Sequence, residues 1–514
     1  MKSRLLPHIV SAATFLTIAA GVPLAAQDQN DGPKHHHYKP IDVGTFGGPS
    51  SYLNALFDGG FFSSANVMNK SGAFAGWADT PTKDSFPAFC FNFDCYVSHA
   101  LKWHDGSSTD LSSLADDWSS AATWINNTGE IVGFSQNGII DPAIGFPEEH
   151  AVLWRDGQMI DLGTLGGNQS IASAINNRGQ VAGLALNATP DPFSIYDLLF
   201  YGSANGTQTR AVLWDRDGSM QDLGTLGGPD AFAVLVNDRG QVTGWSYTNS
   251  TVNPTTGLPT FHPFLWEKGK GMKDLGTLGG TIAQAVNGMN ERGEVVGATT
   301  LAGDQTWHPF LWNGKRLIDL GTFGGDTGEA VWINDAGDVV GIAQEPASCS
   351  NGDGHAFLWR NGVLHDLGTT AGLENSEADF INSKGQAVGF SFSCDFSITT
   401  DAFLWEDGNI VDLNTLIPEN SGFYLSAAEF ISDRGEIAAL GLLPSGDSHV
   451  LLLIPCDENH SAFDGCDYSL VDASKPASRP NPVVSGAASR TLSQTRMRRM
   501  NRYRFPGLAA RPRN

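Results

Sequence analysis

One recurring unit constrains this chain more than any other feature. Its cleanest copy is GHAFLWRNGVLHDLGTTAGLENSEADFINSKGQAVG, residues 354–389. Four short apolar segments, rich in aromatic and β-branched residues, are separated by Gly- and Asn-bearing turns, a pattern of strands rather than helices. The turns are tight, so successive strands pair antiparallel as a meander. Phe-Leu-Trp places apolar groups on both faces of the sheet, so both faces are covered. Small four-stranded sheets packed face to face are the blades of a β-propeller.

The Asp-Leu-Gly-Thr segment recurs from Asp42, Asp161, Asp222, Asp274, Asp319 and Asp366, with degenerate copies at Asp110 and Asp412. The strand ending in Trp recurs with Trp103, Trp154, Trp214, Trp266, Trp312, Trp359 and Trp405, and a degenerate HVLLL copy lies at 449–453. The Asn-x-x-Gly turn also appears eight times, as Ser-x-x-Gly in the last copy. Spacings of 61, 52, 45, 47 and 46 residues from Asp161 fall in the range of propeller or solenoid repeats. The ends favour a ring. The repeats begin partway through a unit, at the Asp42 strand, and stop one strand short, near Leu451. An open solenoid needs polar caps instead. We therefore expect an all-β, closed propeller of eight four-stranded antiparallel blades over residues 41–455, with seven blades as the alternative.

Residues 1–26 have the layout of a secretory signal peptide: Lys2 and Arg4, then the apolar run 9–24, then Ala25-Ala26. Residues 27–40 read as a flexible lead-in. Residues 473–514 carry ten basic side chains and no acid. Without them the chain holds 21 basic against 55 acidic side chains. The body is acidic and the tail is a basic, disordered extension suited to anionic envelope surfaces. The acidic body argues against nucleic acid as a partner, and we expect a monomer.

All six cysteines lie outside the predicted strands, which in an exported protein implies disulfides. Cys90 and Cys95 share one loop. Cys456 and Cys466 follow the last strand and close an extension over 456–472. Cys349 and Cys394 occupy equivalent loops of adjacent blades, so we pair them. None has zinc-site spacing, and no acidic run has calcium-loop spacing, so no metal or cofactor is expected.

We number the strands of a blade 1 to 4, with the x-Ile-Asn strand first and the x-Asp-Leu-Gly strand last. The 1–2 and 3–4 turns then share one rim, short and nearly constant. The 2–3 loops share the other rim with the Gly-Gly crossings, and they vary greatly in length. Variable loops on a rigid scaffold are where binding concentrates. Residues repeated in every blade, such as His150, His262, His308, His355 and the Asp series, read as scaffold. The aromatics Phe193, Tyr196, Phe200, Tyr201, Trp245, Tyr247 and Trp307 lie on the long-loop rim, with Phe91, Phe93 and Tyr96, and do not recur. They suit stacking on sugars or anchoring a protein.

HAFLWRNG (355–362), DLGTLGG (161–167) and INNRGQVAG (175–183) resemble the extracellular HAF-repeat family over residues 42 to about 453. The resemblance implies a secreted bacterial repeat protein and names no biochemical role. Some relatives carry a C-terminal hydrophobic sorting anchor, which the ending PGLAARPRN does not match. The expectation is a secreted, non-enzymatic binding or interaction module, with a glycan or protein ligand at the long-loop rim. The alternative is an extracellular polysaccharide lyase or glycosidase with its site at the propeller mouth; a glycosidase would need two suitably spaced carboxylates there.

Overall fold

The computed structural model describes residues 34–472, except 54–65, 87–89, 93, 143, 197–205, 255, 347–353, 395–399 and 462. The expected signal peptide and basic tail lie outside the described residues. So do Cys349, Phe93, Phe200 and Tyr201.

Eight four-stranded antiparallel blades follow one another along the chain. Blade 6 is representative, with strands Gly328–Ile333, Val339–Ala343, His355–Arg360 and Val363–Gly368. Strand 1 is buried and innermost, while strand 4 is largely exposed. Blades 4 and 5 are joined further by one parallel bridge, Phe261 to Ile282.

The repeat motif has a specific cause. Strand 1 carries a bulge, seen as register shifts between Ala122 and Trp124, Ala330 and Trp332, and Ala378 and Phe380. The bulge presses a strand-1 carbonyl against the facing residue of strand 2. At Gly341 an added Cβ would lie 2.0 Å from the Glu329 oxygen; at Gly133 and Gly389 the corresponding distance is 1.9 Å. Close backbone approach, rather than turn geometry, therefore fixes the glycine of Gln-Val-x-Gly.

Blade 8 uses both ends of the domain. Its first three strands are Tyr424–Ile431, Ile437–Leu442 and Ser448–Pro455, and its fourth is Tyr38–Asp42. Ile41 faces Leu452 and Asp42 faces Leu451, as the offset ends predicted. Blade 8 then meets blade 1 through the contact used at other junctions. The Val450 N–H donates to Ser51 Oγ at 2.9 Å, as Ala100 does to Ser120 and Ala151 to Ser170, both at 2.9 Å.

Two further ladders run round the ring. In the Asn-x-x-Gly turns, Asn126 Nδ2 donates to the Asn176 carbonyl of the next blade at 3.0 Å, and Asn176 to that of Asn237 at 2.9 Å. The same bond links Asn69, Asn237, Asn290, Asn334 and Asn382 to their next neighbours. On the opposite rim each Asp of Asp-Leu-Gly pins strand 3. His99, His150, His262, His308, His355 and His449 bond through Nδ1 to Asp110, Asp161, Asp274, Asp319, Asp366 and Asp42. Arg210 replaces His in blade 3 and pairs with Asp222. The tryptophans join blades, since Trp154 and Trp214 donate to the carbonyls of Leu111 and Leu162 in the preceding blades. These groups are scaffold, as their repetition implied.

The lead-in is ordered from Lys34, which corrects the flexible reading of its last residues. Lys34–His36 pairs with Leu470–Asp472 in the extension. Within it His35 is buried, with Nδ1 2.7 Å from Glu406. Cys90–Cys95 and Cys456–Cys466 are disulfides, as expected, and Cys394 is also disulfide-bonded. Among the described residues, no helix is long and apolar enough to cross a membrane.

Two outcomes follow. Gly341→Ala should destabilise by about 1–3 kcal/mol, because a carbonyl rather than a flexible side chain occupies the space; a denaturation midpoint checks it. The second concerns His449 and Asp42, which hold the two chain ends together. Burial pushes the Asp42 carboxyl up, but the His449 bond and the Gly44 N–H outweigh it, and the net direction is down. Burial pushes the His449 imidazole down, and the Asp42 bond outweighs that, so its net direction is up. The Asp contribution is lost as pH falls through its lowered value, and the His contribution as pH rises through its raised one. Both are fully present between the unfolded values of about 4 and 6.5. Melting temperature should peak in that window, and Asp42→Asn should flatten the peak.

Candidate functional site

Where the long-loop rim is described, several of its aromatics form a second packed layer. Tyr196, Trp245 and Tyr247 are fully buried, at 0–2 % exposure. Tyr196 Oη donates to Glu149 at 3.0 Å, and Tyr247 Oη donates to the Phe193 carbonyl at 3.1 Å. Trp245 packs on Phe232 with ring centroids 5.3 Å apart, and Phe91 packs on Phe134 at 5.5 Å. Phe193 is half-buried against the same apolar cluster, which runs from blade 1 to blade 5. Trp307 is half-buried, and its backbone bridges Thr327 of the next blade. Tyr96 lies under Lys83, whose Nζ is 3.3 Å from the ring centroid. These aromatics hold long loops down. As a ligand surface, Tyr196, Trp245 and Tyr247 are corrected.

The carboxyls of this rim share the burial. Burial pushes Glu149 up to about 8, against the Tyr196 bond. Asp230 is pushed well up by burial and by the charge of Asp191. Tyr52 Oη lies 3.0 Å from Asp79 and 2.8 Å from Asp94, and burial with the Asp94 charge pushes Asp79 up to about 8. Groups held neutral in this way belong to an interior.

The opposite, short-turn mouth is different. The strand-1 residue two before the turn Asn faces the ring axis just after the bulge. It is Trp124, Leu235, Trp332, Phe380 or Phe430 in five of the blades. Trp124 and Trp332 come from opposite sides of the ring and meet with centroids 6.3 Å apart. Trp332 stacks on Phe380 at 4.7 Å, and Phe380 meets Phe430 at 4.5 Å. The axial channel thus has an aromatic floor. Above it lies a cavity of about 250 Å³, with Trp124, Trp332 and Phe380 beneath and Glu291, Asp335 and Asp433 at its edge.

Those acids have fixed positions. Each occupies the residue after the first residue of the turn (Asn290, Asn334 or Ser432) and accepts a backbone N–H from the preceding blade, as Asp238 also does. The donors are Asn177 to Asp238 at 2.7 Å, Asp238 to Glu291 at 3.0 Å, Glu291 to Asp335 at 2.9 Å and Ser383 to Asp433 at 2.9 Å. Burial and the charges of Asp238 and Asp335 raise Glu291 above its ordinary value, against the Asp238 N–H bond and Arg239. A cup with an aromatic floor and a carboxylate edge suits an organic cation.

None of these residues stands out in the sequence, because they sit inside a repeated frame. The usable signal was variation within the frame: the same position is Ala174 in blade 3 and Gly288 in blade 5. One group among the described residues, Glu345, His355 and Asp366, brings ligand atoms within 4.8 Å of one another. Two of its members form the recurring His–Asp pin, so we assign it to the scaffold.

No protein-family model and no curated protein matches the chain. Solved structures of similar architecture include the β-propeller domain of the Trilobed protease from Pyrococcus furiosus (10% identity, TM-score 0.40, covering 68% of this chain and 96% of that one). A puromycin-hydrolysing peptidase of Mycobacterium tuberculosis is similar at 12% identity and a TM-score of 0.39 over 78% of this chain and 62% of that one. Pyrococcus horikoshii acylaminoacyl peptidase is similar at 10% identity and a TM-score of 0.38 over 73% and 56%. The chain therefore spans little more than half the length of these two peptidases. The expected ligand face, with a glycan or protein at the long-loop rim, is corrected where it rested on Tyr196, Trp245 and Tyr247, since these side chains are buried in the protein's own packing.

Proposed function

We propose that the chain is a peptide-handling propeller that grips positively charged groups of peptides at its short-turn mouth, in the service of a peptidase. The observation that carries this reading is the cup in which Trp124, Trp332 and Phe380 underlie Glu291, Asp335 and Asp433. An ammonium or guanidinium group gains from the ring faces and from the carboxylates at once, and desolvation by the aromatic floor strengthens both. The reading assigns no bond-breaking chemistry to the chain itself. Within this proposal the chain is an exported HAF-type repeat protein. Its disulfides Cys90–Cys95 and Cys456–Cys466 fit an oxidising compartment.

Calorimetry with short peptides tests the cup. An Arg-bearing peptide should bind, and the same peptide with citrulline should bind at least about tenfold more weakly, as loss of the cation requires. Trp332→Ala and Glu291→Gln should each weaken the Arg peptide while the protein stays folded. Binding should strengthen as pH rises through the raised Glu291 value, because the ionised carboxylate is the form that attracts the cation. Equal affinity for arginine and citrulline peptides would overturn the reading.

A further inference from the structure

The turn-to-turn ladder is interrupted at one junction. Between blade 8 and blade 1 the donor position holds Ser432 instead of Asn. Ser432 Oγ still organises its own turn, accepting from the Arg434 and Glu436 N–H groups at 3.2 and 3.1 Å. A hydroxymethyl is too short to reach the Asn69 carbonyl as an Asn amide would. The companion contact fails as well. In blade 7 the Ser383 N–H donates to Asp433 of the next blade at 2.9 Å. The next blade after Asp433 presents Lys70, which has no acceptor.

A cavity of about 420 Å³ opens at this seam, and Met68, Phe430 and Ile431 form its apolar floor. Its acids are already engaged. Glu436 takes Arg434 Nη2 and the Ser432 hydroxyl, and Asp433 takes the blade-7 N–H. Among the described residues, the groups without a partner here are donors: the Asp433 N–H, the Lys70 ammonium, and the second guanidinium amine of Arg434, whose side chain reaches across to Gly72 of blade 1.

We propose that this seam is a second binding site, which takes a carboxylate carried on an apolar body. The carboxylate meets Lys70 and the Asp433 N–H, and the apolar body fills the floor where the missing Asn side chain leaves room. Charge-assisted bonds of this kind are about twice as strong as neutral ones. The C-terminus of a peptide ending in an apolar residue and a free alkyl or aryl carboxylic acid share this chemistry. The seam adjoins the cup and shares Asn66, Phe380 and Asp433 with it, but the inference stands on the Lys70 ammonium and the Asp433 N–H rather than on the cup's carboxylates.

The test uses the whole protein and four probes: 4-phenylbutyrate, 4-phenylbutanol, N-acetyl-Ala-Leu and its C-terminal amide. The two acids should bind, and the alcohol and amide should bind at least about tenfold more weakly, as loss of a charge-assisted bond implies. Tighter binding of the acetylated peptide assigns a peptide C-terminus, and tighter binding of phenylbutyrate assigns a free acid; both support the site. Lys70→Gln should lower acid affinity by a similar factor. Ser432→Asn restores the ladder and should abolish acid binding while raising the melting temperature, so loss of binding there cannot be loss of fold. Glu291→Gln, in the cup, should leave acid binding within about twofold. Equal binding of acid and alcohol, or acid binding that survives both Lys70→Gln and Ser432→Asn, overturns the proposal. Loss of acid binding in Glu291→Gln alone would move the site to the cup and also overturn it.

Discussion

One side-chain amide spaces the ring. In Asn126 the carbonyl oxygen accepts the N–H groups of Thr128 and Glu130 and shapes its own turn, while the amide nitrogen reaches the Asn176 carbonyl of the next blade. Local turn and neighbour docking are thus set by the same four atoms. Neither can shift without the other, so every blade inherits its position from the one before it. Only at Ser432 are the two jobs separated, with the turn kept and the reach lost. Everything distinctive about the short-turn face, the cup as well as the seam, is built on this frame.

The frame was legible because propeller repeats write it many times over. Eight copies of three motifs gave strand order, pairing, blade number and the use of Tyr38–Asp42 as the last strand of blade 8. The orientation of single aromatics was not legible. Strands covered on both faces carry apolar residues without alternation, so Trp332 and Trp359 look alike in the sequence. One lies over the channel and the other packs on the cluster shared with the preceding blade. The bulge that turns Trp332 toward the axis leaves a trace only in the glycine facing it, Gly341. Nor does sequence distance say that Trp124 and Trp332, on opposite sides of the ring, touch.

The long loops illustrate a second limit. Their length and their unrepeated aromatics point equally to a binding surface or to an added core. The added core is what Tyr196, Trp245 and Tyr247 build, and it holds Glu149 and Asp230 away from water. Burial of polar tips decides between the two, and it depends on which loops meet across blades. Tyr196 finds its acceptor in Glu149, in the preceding blade and 47 residues back along the chain.

Building blade 8 from both ends has a consequence for how the molecule comes into being. Asp42 is separated from its partner His449 by 407 residues. As the polypeptide is synthesised, the Tyr38–Asp42 segment emerges ahead of the blades and has no strand to pair with until Ser448–Pro455 has been made. Earlier blades form from local meanders, which close quickly, but the ring waits for the pairing of two strands about four hundred residues apart. In the interval Ser448–Pro455 and Tyr38–Asp42 are each an open sheet edge, able to pair with the matching edge of another copy. The closure step is therefore the point at which this chain is most exposed to swapping and aggregation.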